Sequence, residues 1–189
     1  MKPNSYISIA VAAGAILTIV LLHRLWQRNY GIVDLRGQLP KHPTRQFPRR
    51  SLSAIEQIVV HHSAGNSQET VESVNRYHIG PNHVCDSGCP GVLYTLMVDR
   101  KGVLYLLHDF EVITYHIQDQ NTKSLGICVL GNFEQEEPSA AQLKALQRGI
   151  AYVQQRLGRK VPVTTHGIAC TACNTDCPGT NLERKIIYA

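Results

Sequence analysis

A chain of 189 residues, 43% hydrophobic and 17% charged, is long enough for one globular domain and too short for two ordinary ones. The net charge of +5 originates in residues 1–50, where eight Lys and Arg residues accompany a single acidic residue, Asp34. Residues 51–189 carry eleven basic and thirteen acidic residues. The globular part therefore lacks the basic surface of a nucleic-acid-binding protein, and we expect no nucleic-acid partner.

The first predicted element is a membrane segment at the N-terminus. Residues 6–22 form a run of seventeen without a charge, at the lower end of the length that a helix needs to cross a bilayer. A cleaved signal peptide is the main alternative, but the residues that follow, His23 to Trp26, offer no small-x-small cleavage site. We therefore predict a transmembrane or signal-anchor segment over residues 1–22.

Two further regions complete the predicted organisation. Residues 23–50 combine arginines with three prolines and show no sustained period, which predicts a basic linker against the domain or the membrane surface. The folded domain is predicted to occupy residues 51–189.

The first elements of that domain are a strand and a helix. The strand is Ile55–His61, because its continuous apolar run is typical of a strand buried on both faces. Apolar residues at helical spacing then predict a helix over Thr70–Ile79, with Ser67 or Asn66 as its cap.

Strands and helices alternate through the rest of the domain. Arg100-Lys101-Gly102 is typical of a hairpin turn between two strands. The predicted elements are strands at Val92–Asp99, Val103–His108, Leu125–Leu130 and Val161–Thr165, and helices at Ser139–Leu157 and Asn181–Tyr188. This pattern predicts a single α/β (α+β) domain with a central mixed β-sheet flanked by helices.

Three potential metal ligands stand at or after strand ends, where a sheet presents side chains to a cleft. His61 closes the first strand, His166 follows a later one, and Cys177 lies eleven residues beyond it. Two imidazoles and one thiolate are a normal ligand set for Zn²⁺, and three protein ligands leave the open position that a catalytic site requires. Taken singly, each residue is more often structural than a ligand.

Six stretches of the chain are similar to one known family. They are Ile58 to Ala64, Arg76-Tyr77-His78, Leu93 to Gly102, Thr114-Tyr115-His116, Asn121 to Ile127, and His166 through Gly179. In this order they resemble the zinc-dependent N-acetylmuramoyl-L-alanine amidases, a family that phage amidase-type lysozymes share with peptidoglycan recognition proteins. The resemblance spans roughly residues 55–182.

The resemblance implies a metal site and a catalytic tyrosine. In this family the first His of the His-His pair is the ligand, which selects His61 over His62, and the other two ligands of the Zn²⁺ would be His166 and Cys177. The tyrosine corresponds to Tyr94, whose hydroxyl would hydrogen-bond the developing oxyanion or the attacking water.

Three other residues receive roles from the same resemblance. The second polar catalytic position, Lys or Thr in the family, is Thr175 here, and Thr can donate a hydrogen bond but cannot act as a cation. His116 corresponds to a His that lines the substrate groove, and we expect it to orient substrate or shuttle protons with a pKa near the working range. His78 also has a family counterpart, but its place in an apolar helix predicts a structural role.

Four cysteines lie in two loops that should border the metal cleft. Cys85 and Cys89 precede Tyr94, and Cys170 and Cys173 lie in a longer gap between two metal ligands than the family usually has. The four could bind a second, structural zinc or form two disulfides. We expect pairs that staple the two loops together, and zinc in their place in a reducing compartment.

The expected function is hydrolysis of the amide between N-acetylmuramic acid and L-alanine, with peptidoglycan as the partner. A non-catalytic peptidoglycan receptor is the alternative, and a zinc-ribbon interaction module explains fewer of the residues. The expected location is the cell envelope, on the periplasmic or extracellular face. The basic residues after the membrane segment argue instead for a cytoplasmic domain, so the topology stays open.

Overall fold

The structure, a computed structural model, describes residues 30–187, without the side chain of Ile187. The membrane segment predicted over residues 1–22 lies outside the described residues. Within residues 30–187, no helix has both the length and the apolar character needed to cross a membrane. Contacts group the described residues from Val33 onward into one compact unit, which contains all the predicted site residues.

A six-stranded mixed sheet forms the centre of this unit. The strands are β1 (Ile32–Asp34), β2 (Gln57–His62), β3 (Leu96–Val98), β4 (Leu104–Leu106), β5 (Ser124–Val129) and β6 (Val163–Thr165). Their order across the sheet is β1-β4-β3-β5-β2-β6. β3 and β4 are antiparallel, as the hairpin turn predicts, whereas the pairs β2-β5, β2-β6 and β3-β5 are parallel. The predicted mixed sheet is therefore confirmed.

β2 occupies the position in the sheet that its sequence predicts. Ile58, Val59 and Val60 are fully buried, and parallel partners flank the strand on both sides. A continuous apolar run suits this environment because both faces of the strand are covered. The carboxyl ends of β2 and β6 meet at one edge of the sheet, where His61 and His166 lie.

Four described α-helices accompany the sheet: α1 (Val71–Ile79), α2 (Ala140–Leu157), α3 (His166–Ala169) and α4 (Thr180–Ile187), and a 3-10 helix spans Leu52–Ala54. α2 begins at a capping box in which Ser139 and Gln142 bond each other's backbone N–H, and it ends at Gly158 with φ 66°. The cap predicted for α1, Ser67 or Asn66, is wrong. Thr70 caps that helix because Ser73, three residues on, completes a capping box with it.

The stretch predicted as a linker, residues 23–50, belongs in part to the fold. β1 forms an edge strand of the sheet, and the Leu35 N–H donates to the Leu106 carbonyl at 2.9 Å. The prediction failed because a three-residue edge strand is too short to produce a visible period.

Arg50, at the end of that stretch, is buried to 9% exposure against the loops that precede β5. Its guanidinium donates to the carbonyls of Phe110, Asn121, Thr122 and Ser124 at 2.6–3.1 Å. Burial lowers the pKa of Arg50 to about 10. This side chain satisfies four backbone acceptors, and its bonds to Phe110 and Ser124 are buried from water.

We expect Arg50→Ala to lower the free energy of unfolding by about 3 kcal/mol, because buried acceptors lose their donor. Urea denaturation measures the change. Arg49→Ala is the matched control: its side chain is exposed, and we expect a shift within about 0.5 kcal/mol. Equal losses in the two variants would contradict the structural role of Arg50.

Candidate metal centre and adjoining groove

The register of β2 and β6 brings the two predicted histidine ligands together. Val60 pairs with Thr165, so His61 on β2 lies beside His166, the first residue after β6. Their ring centroids lie 4.8 Å apart. His61 is 1% exposed, whereas His166 opens the short helix α3 and is half-buried.

Cys177 reaches the same edge of the sheet through a loop. The Gly167 N–H donates to the Cys177 carbonyl at 3.0 Å, which holds the loop against α3. The Cys177 N–H in turn donates to the Thr175 hydroxyl at 3.2 Å. Thr175 thus supports the backbone of Cys177. The sequence predicts a different role for Thr175, that of a catalytic hydrogen-bond donor.

The three predicted ligands form one group. One ligand atom each from His61, His166 and Cys177 lies within 4.8 Å of the other two. His61 Nδ1 and Cys177 Sγ are 3.6 Å apart. His166 Nε2 is buried and has no hydrogen-bond partner among the described residues, as expected of a nitrogen that needs a metal as its partner.

The electrostatics of this group suit a divalent metal. Burial lowers the pKa of His61 and of His166, which keeps both imidazoles neutral and able to ligate. Burial also raises the pKa of the Cys177 thiol to about 12. A thiolate at this position therefore needs a nearby positive charge, which a metal ion supplies. With two imidazoles and one sulfur, the residues fit Zn²⁺.

His116 contacts His61 on the side of the ring that faces away from Cys177. His61 Nε2 and His116 Nδ1 are 2.9 Å apart, and His116 Nε2 lies 3.2 Å from the Ser124 hydroxyl. His61 Nδ1 is thereby left facing Cys177, an arrangement in which a second residue orients a ligating imidazole. Gly126 makes room for the His116 ring, since a Cβ there would come within 2.8 Å of it.

The surroundings of His116 differ from those expected. The side chain is 6% exposed, so it does not line an open groove. Its pKa is lowered to about 3, chiefly by burial. The sequence could not show this, because the enclosure of His116 depends on Gly126 and β5.

Tyr94 lies between the candidate metal centre and a groove. Its ring centroid is 5.2 Å from that of His61 and 5.7 Å from that of His78. Burial raises the pKa of Tyr94 well above its ordinary value, so the hydroxyl stays protonated and can donate a hydrogen bond. The groove encloses about 150 Å³ and is lined by residues that include Ser63, Glu69 and Tyr77.

Glu69 is a site residue that the sequence analysis missed. It lines the groove with Tyr94, and its carboxylate accepts a short hydrogen bond from the Ser63 hydroxyl. Burial raises its pKa. Gly65 leaves the space that this carboxylate occupies, because a Cβ there would overlap it. Ser63 follows the His-His pair directly, but no spacing rule connects it to a carboxylate six residues on.

The cysteines differ from the expectation. Cys85 pairs with Cys89 and Cys170 with Cys173, so each disulfide lies within one loop and the predicted stapling between loops is wrong. The four sulfurs do not form one group, because the first pair packs with Leu93 and the second with Val59. Among the described residues, Cys128 and Cys177 carry free thiols.

Comparisons with known proteins found a matching family model and several relatives. The family model described as N-acetylmuramoyl-L-alanine amidase matches residues 51–180. Peptidoglycan-recognition protein SC2 of Drosophila melanogaster is 27% identical over 135 residues, which cover 68% of this chain and 70% of that protein. N-acetylmuramoyl-L-alanine amidase of Sus scrofa is 27% identical over 109 residues, 58% of this chain and 17% of the pig protein.

Solved structures share the fold. The amidase LysC from Clostridium intestinale URNW superposes with a TM-score of 0.65 at 20% identity, covering 84% of this chain and 97% of LysC. Peptidoglycan recognition protein-LE, in complex with tracheal cytotoxin, gives a TM-score of 0.71 at 21% identity, covering 84% and 94%. The relatives thus include both amidases and recognition proteins.

Proposed function

This chain belongs to the N-acetylmuramoyl-L-alanine amidase family, and on that premise we propose that it is a zinc-dependent peptidoglycan hydrolase. The bond cleaved is the amide between N-acetylmuramic acid and L-alanine. The observation that carries the proposal is the convergence of His61, His166 and Cys177, whose ligand atoms lie within 4.8 Å of one another. We place the reaction in the cell envelope, where peptidoglycan is found.

The chain's own residues divide the work. A zinc ion held by the three ligands would polarise the scissile carbonyl and make hydroxide available from water near neutral pH. His116 keeps the ring of His61 turned toward Cys177. Tyr94 donates its hydroxyl hydrogen to the oxygen that becomes negative as the amide is attacked. Thr175 holds the loop that carries Cys177.

The groove beside Tyr94 suits an extended polar substrate. Ser63, Glu69, Ser73 and Tyr77 supply hydroxyl and carboxylate groups along it. Such groups can bond the amides of a stem peptide, and the raised pKa of Glu69 makes its carboxyl more easily protonated as the pH falls. The same groove would serve a receptor, so it does not by itself distinguish the two functions.

A non-catalytic peptidoglycan receptor is the second candidate, favoured by the relatives named as recognition proteins. The complete set of three ligands argues for the enzyme. A receptor needs neither a thiolate nor two neutral imidazoles at one point, and burying polar groups such as His61 and the Nε2 of His166 without a partner costs free energy.

Incubation of the purified protein with sacculi tests whether the protein is a hydrolase or a receptor. We expect new L-alanine amino termini to appear, to stop after treatment with a chelator, and to return when Zn²⁺ is added back, because all three ligands are borderline or soft donors suited to zinc. Mg²⁺ at equal concentration is the control and should restore nothing. Binding to sacculi without release of amino termini, in zinc-loaded protein, would support the receptor.

A further inference from the structure

The loop between His166 and Cys177 carries a Cys-x-x-Cys pair that the proposed reaction does not use. α3 is a single turn that ends at Ala169, and the N–H of the next residue, Cys170, donates to the His166 carbonyl at 3.0 Å. The Cys173 N–H donates to the Cys170 carbonyl, also at 3.0 Å. Two successive tight turns therefore bring both sulfurs next to His166.

These residues form a second group of potential ligands. One atom each from His166, Cys170 and Cys173 lies within 4.8 Å of the other two, the same criterion that the first group meets. Among the described residues these are the two groups of three His, Cys, Asp or Glu side chains that could hold a metal. Cys-x-x-Cys is a common spacing in zinc sites. The two groups share His166.

The positions of the two sulfurs suit reversible reduction of the disulfide between them. Cys170 is 7% exposed and packs with Val59 and Ile117, so a reduced Cys170 would stay beside His166. Cys173 is half-buried and follows the exposed Thr171 and Ala172, where a reductant has access. In this structure the two sulfurs are joined as a disulfide, with the Cα atoms 5.3 Å apart.

We propose that His166, Cys170 and Cys173 form a second metal-binding site, open when the disulfide is reduced, that competes with the first site for His166. A dithiol donates two electrons and two protons to the disulfide and becomes a disulfide itself, which leaves two thiols on the protein. A divalent zinc ion then displaces the two thiol protons as it binds.

Competition follows from the chemistry of imidazole. A neutral imidazole carries a proton on one nitrogen and a free lone pair on the other, so His166 serves one metal at a time. The reduced site offers two thiolates, whereas the first site offers one. Softer ligands favour zinc, so reduction draws the ion away from His61 and Cys177. Reduction therefore switches hydrolysis off, a step that rests on the proposed function.

Metal content of the full chain carrying Cys177→Ser tests the second site without relying on activity. Oxidised Cys177→Ser retains two ligands of the first site, and we expect it to lose zinc during dialysis. The reductant is a phosphine, which consumes one water per disulfide reduced and does not supply a competing thiol. After this treatment we expect one zinc per chain to be retained. The readout is zinc per chain by atomic spectroscopy.

The chain offers a matched control in its other disulfide. Adding Cys85→Ser and Cys89→Ser to Cys177→Ser should leave the gain of zinc on reduction intact, because that pair lies in a different cluster. Adding Cys170→Ser and Cys173→Ser should abolish the gain. A gain that survives the loss of Cys170 and Cys173, or no gain on reduction, would overturn the proposal.

A second measurement uses the unaltered protein, which avoids any folding defect of the variants. With Co²⁺ in place of zinc, the sulfur-to-metal charge-transfer band grows with the number of thiolates bound. We expect the band to strengthen on reduction while the metal content stays at one per chain; an unchanged band would count against the second site. If sacculi are not cleaved in either state but the band strengthens, the proposed function fails and the second site stands.

Discussion

Replacing His61 by alanine is expected to remove the metal from the protein and to reduce hydrolysis of peptidoglycan on the order of 10³-fold or more, since a metal ion supplies several kcal/mol of transition-state stabilisation. His61 is the most enclosed of the three ligands, at 1% exposure, and its Nδ1 faces Cys177 at 3.6 Å. Its loss leaves one imidazole and one thiol, too few for a stable zinc site. Zinc content and release of amino termini from sacculi measure the two effects.

His62→Ala is the matched control because the two histidines are adjacent on β2 and point to opposite faces. His62 Nδ1 accepts from the Phe133 N–H at 3.2 Å, so its loss removes one hydrogen bond and about 1 kcal/mol of stability. We expect zinc content and turnover close to those of the unaltered protein. If His62→Ala lost the metal and His61→Ala kept it, the assignment of the ligand within the pair would be reversed.

Much of the candidate metal centre could be proposed from the sequence because its histidines lie at the ends of strands. The apolar run before His61 and the short strand before His166 are local patterns, and the carboxyl ends of parallel strands meet at one edge. Cys177 has no such pattern. Its place depends on loop contacts, from Gly167 and Thr175, that only the folded chain brings together. The resemblance to known amidases was needed to select it.

The errors have two physical causes, which are local turns and contacts between distant residues. Four cysteines allow three pairings, and tight turns such as that between Cys85 and Gly88 favour the local one. The burial of His116 depends on a glycine in β5. The burial of Arg50 depends on carbonyls that lie sixty or more positions away in the sequence. Neither dependence produces a periodic pattern in the sequence.

Tyr94→Phe is expected to lower kcat on the order of 10²–10³-fold while zinc content stays unchanged, which is the magnitude found when one oxyanion donor is removed. The phenyl ring can keep the contact that Tyr94 makes with His61, at 5.2 Å between centroids, so the metal ligands stay in place. The loss falls on the hydroxyl, whose raised pKa keeps its proton available for donation. Initial rates on a muramyl peptide separate kcat from KM.

Tyr105→Phe is the control for the loss of a tyrosine hydroxyl. Tyr105 lies on β4 and its hydroxyl donates to Asp99 at 3.1 Å, outside the group of metal ligands. We expect its kcat to be unchanged. A fall in kcat with unchanged KM for Tyr94→Phe means that the hydroxyl acts in the transition state, because an interaction made equally with the bound substrate would alter KM instead. Unchanged turnover would leave Tyr94 as a packing residue and assign the stabilisation of the oxyanion to the metal alone.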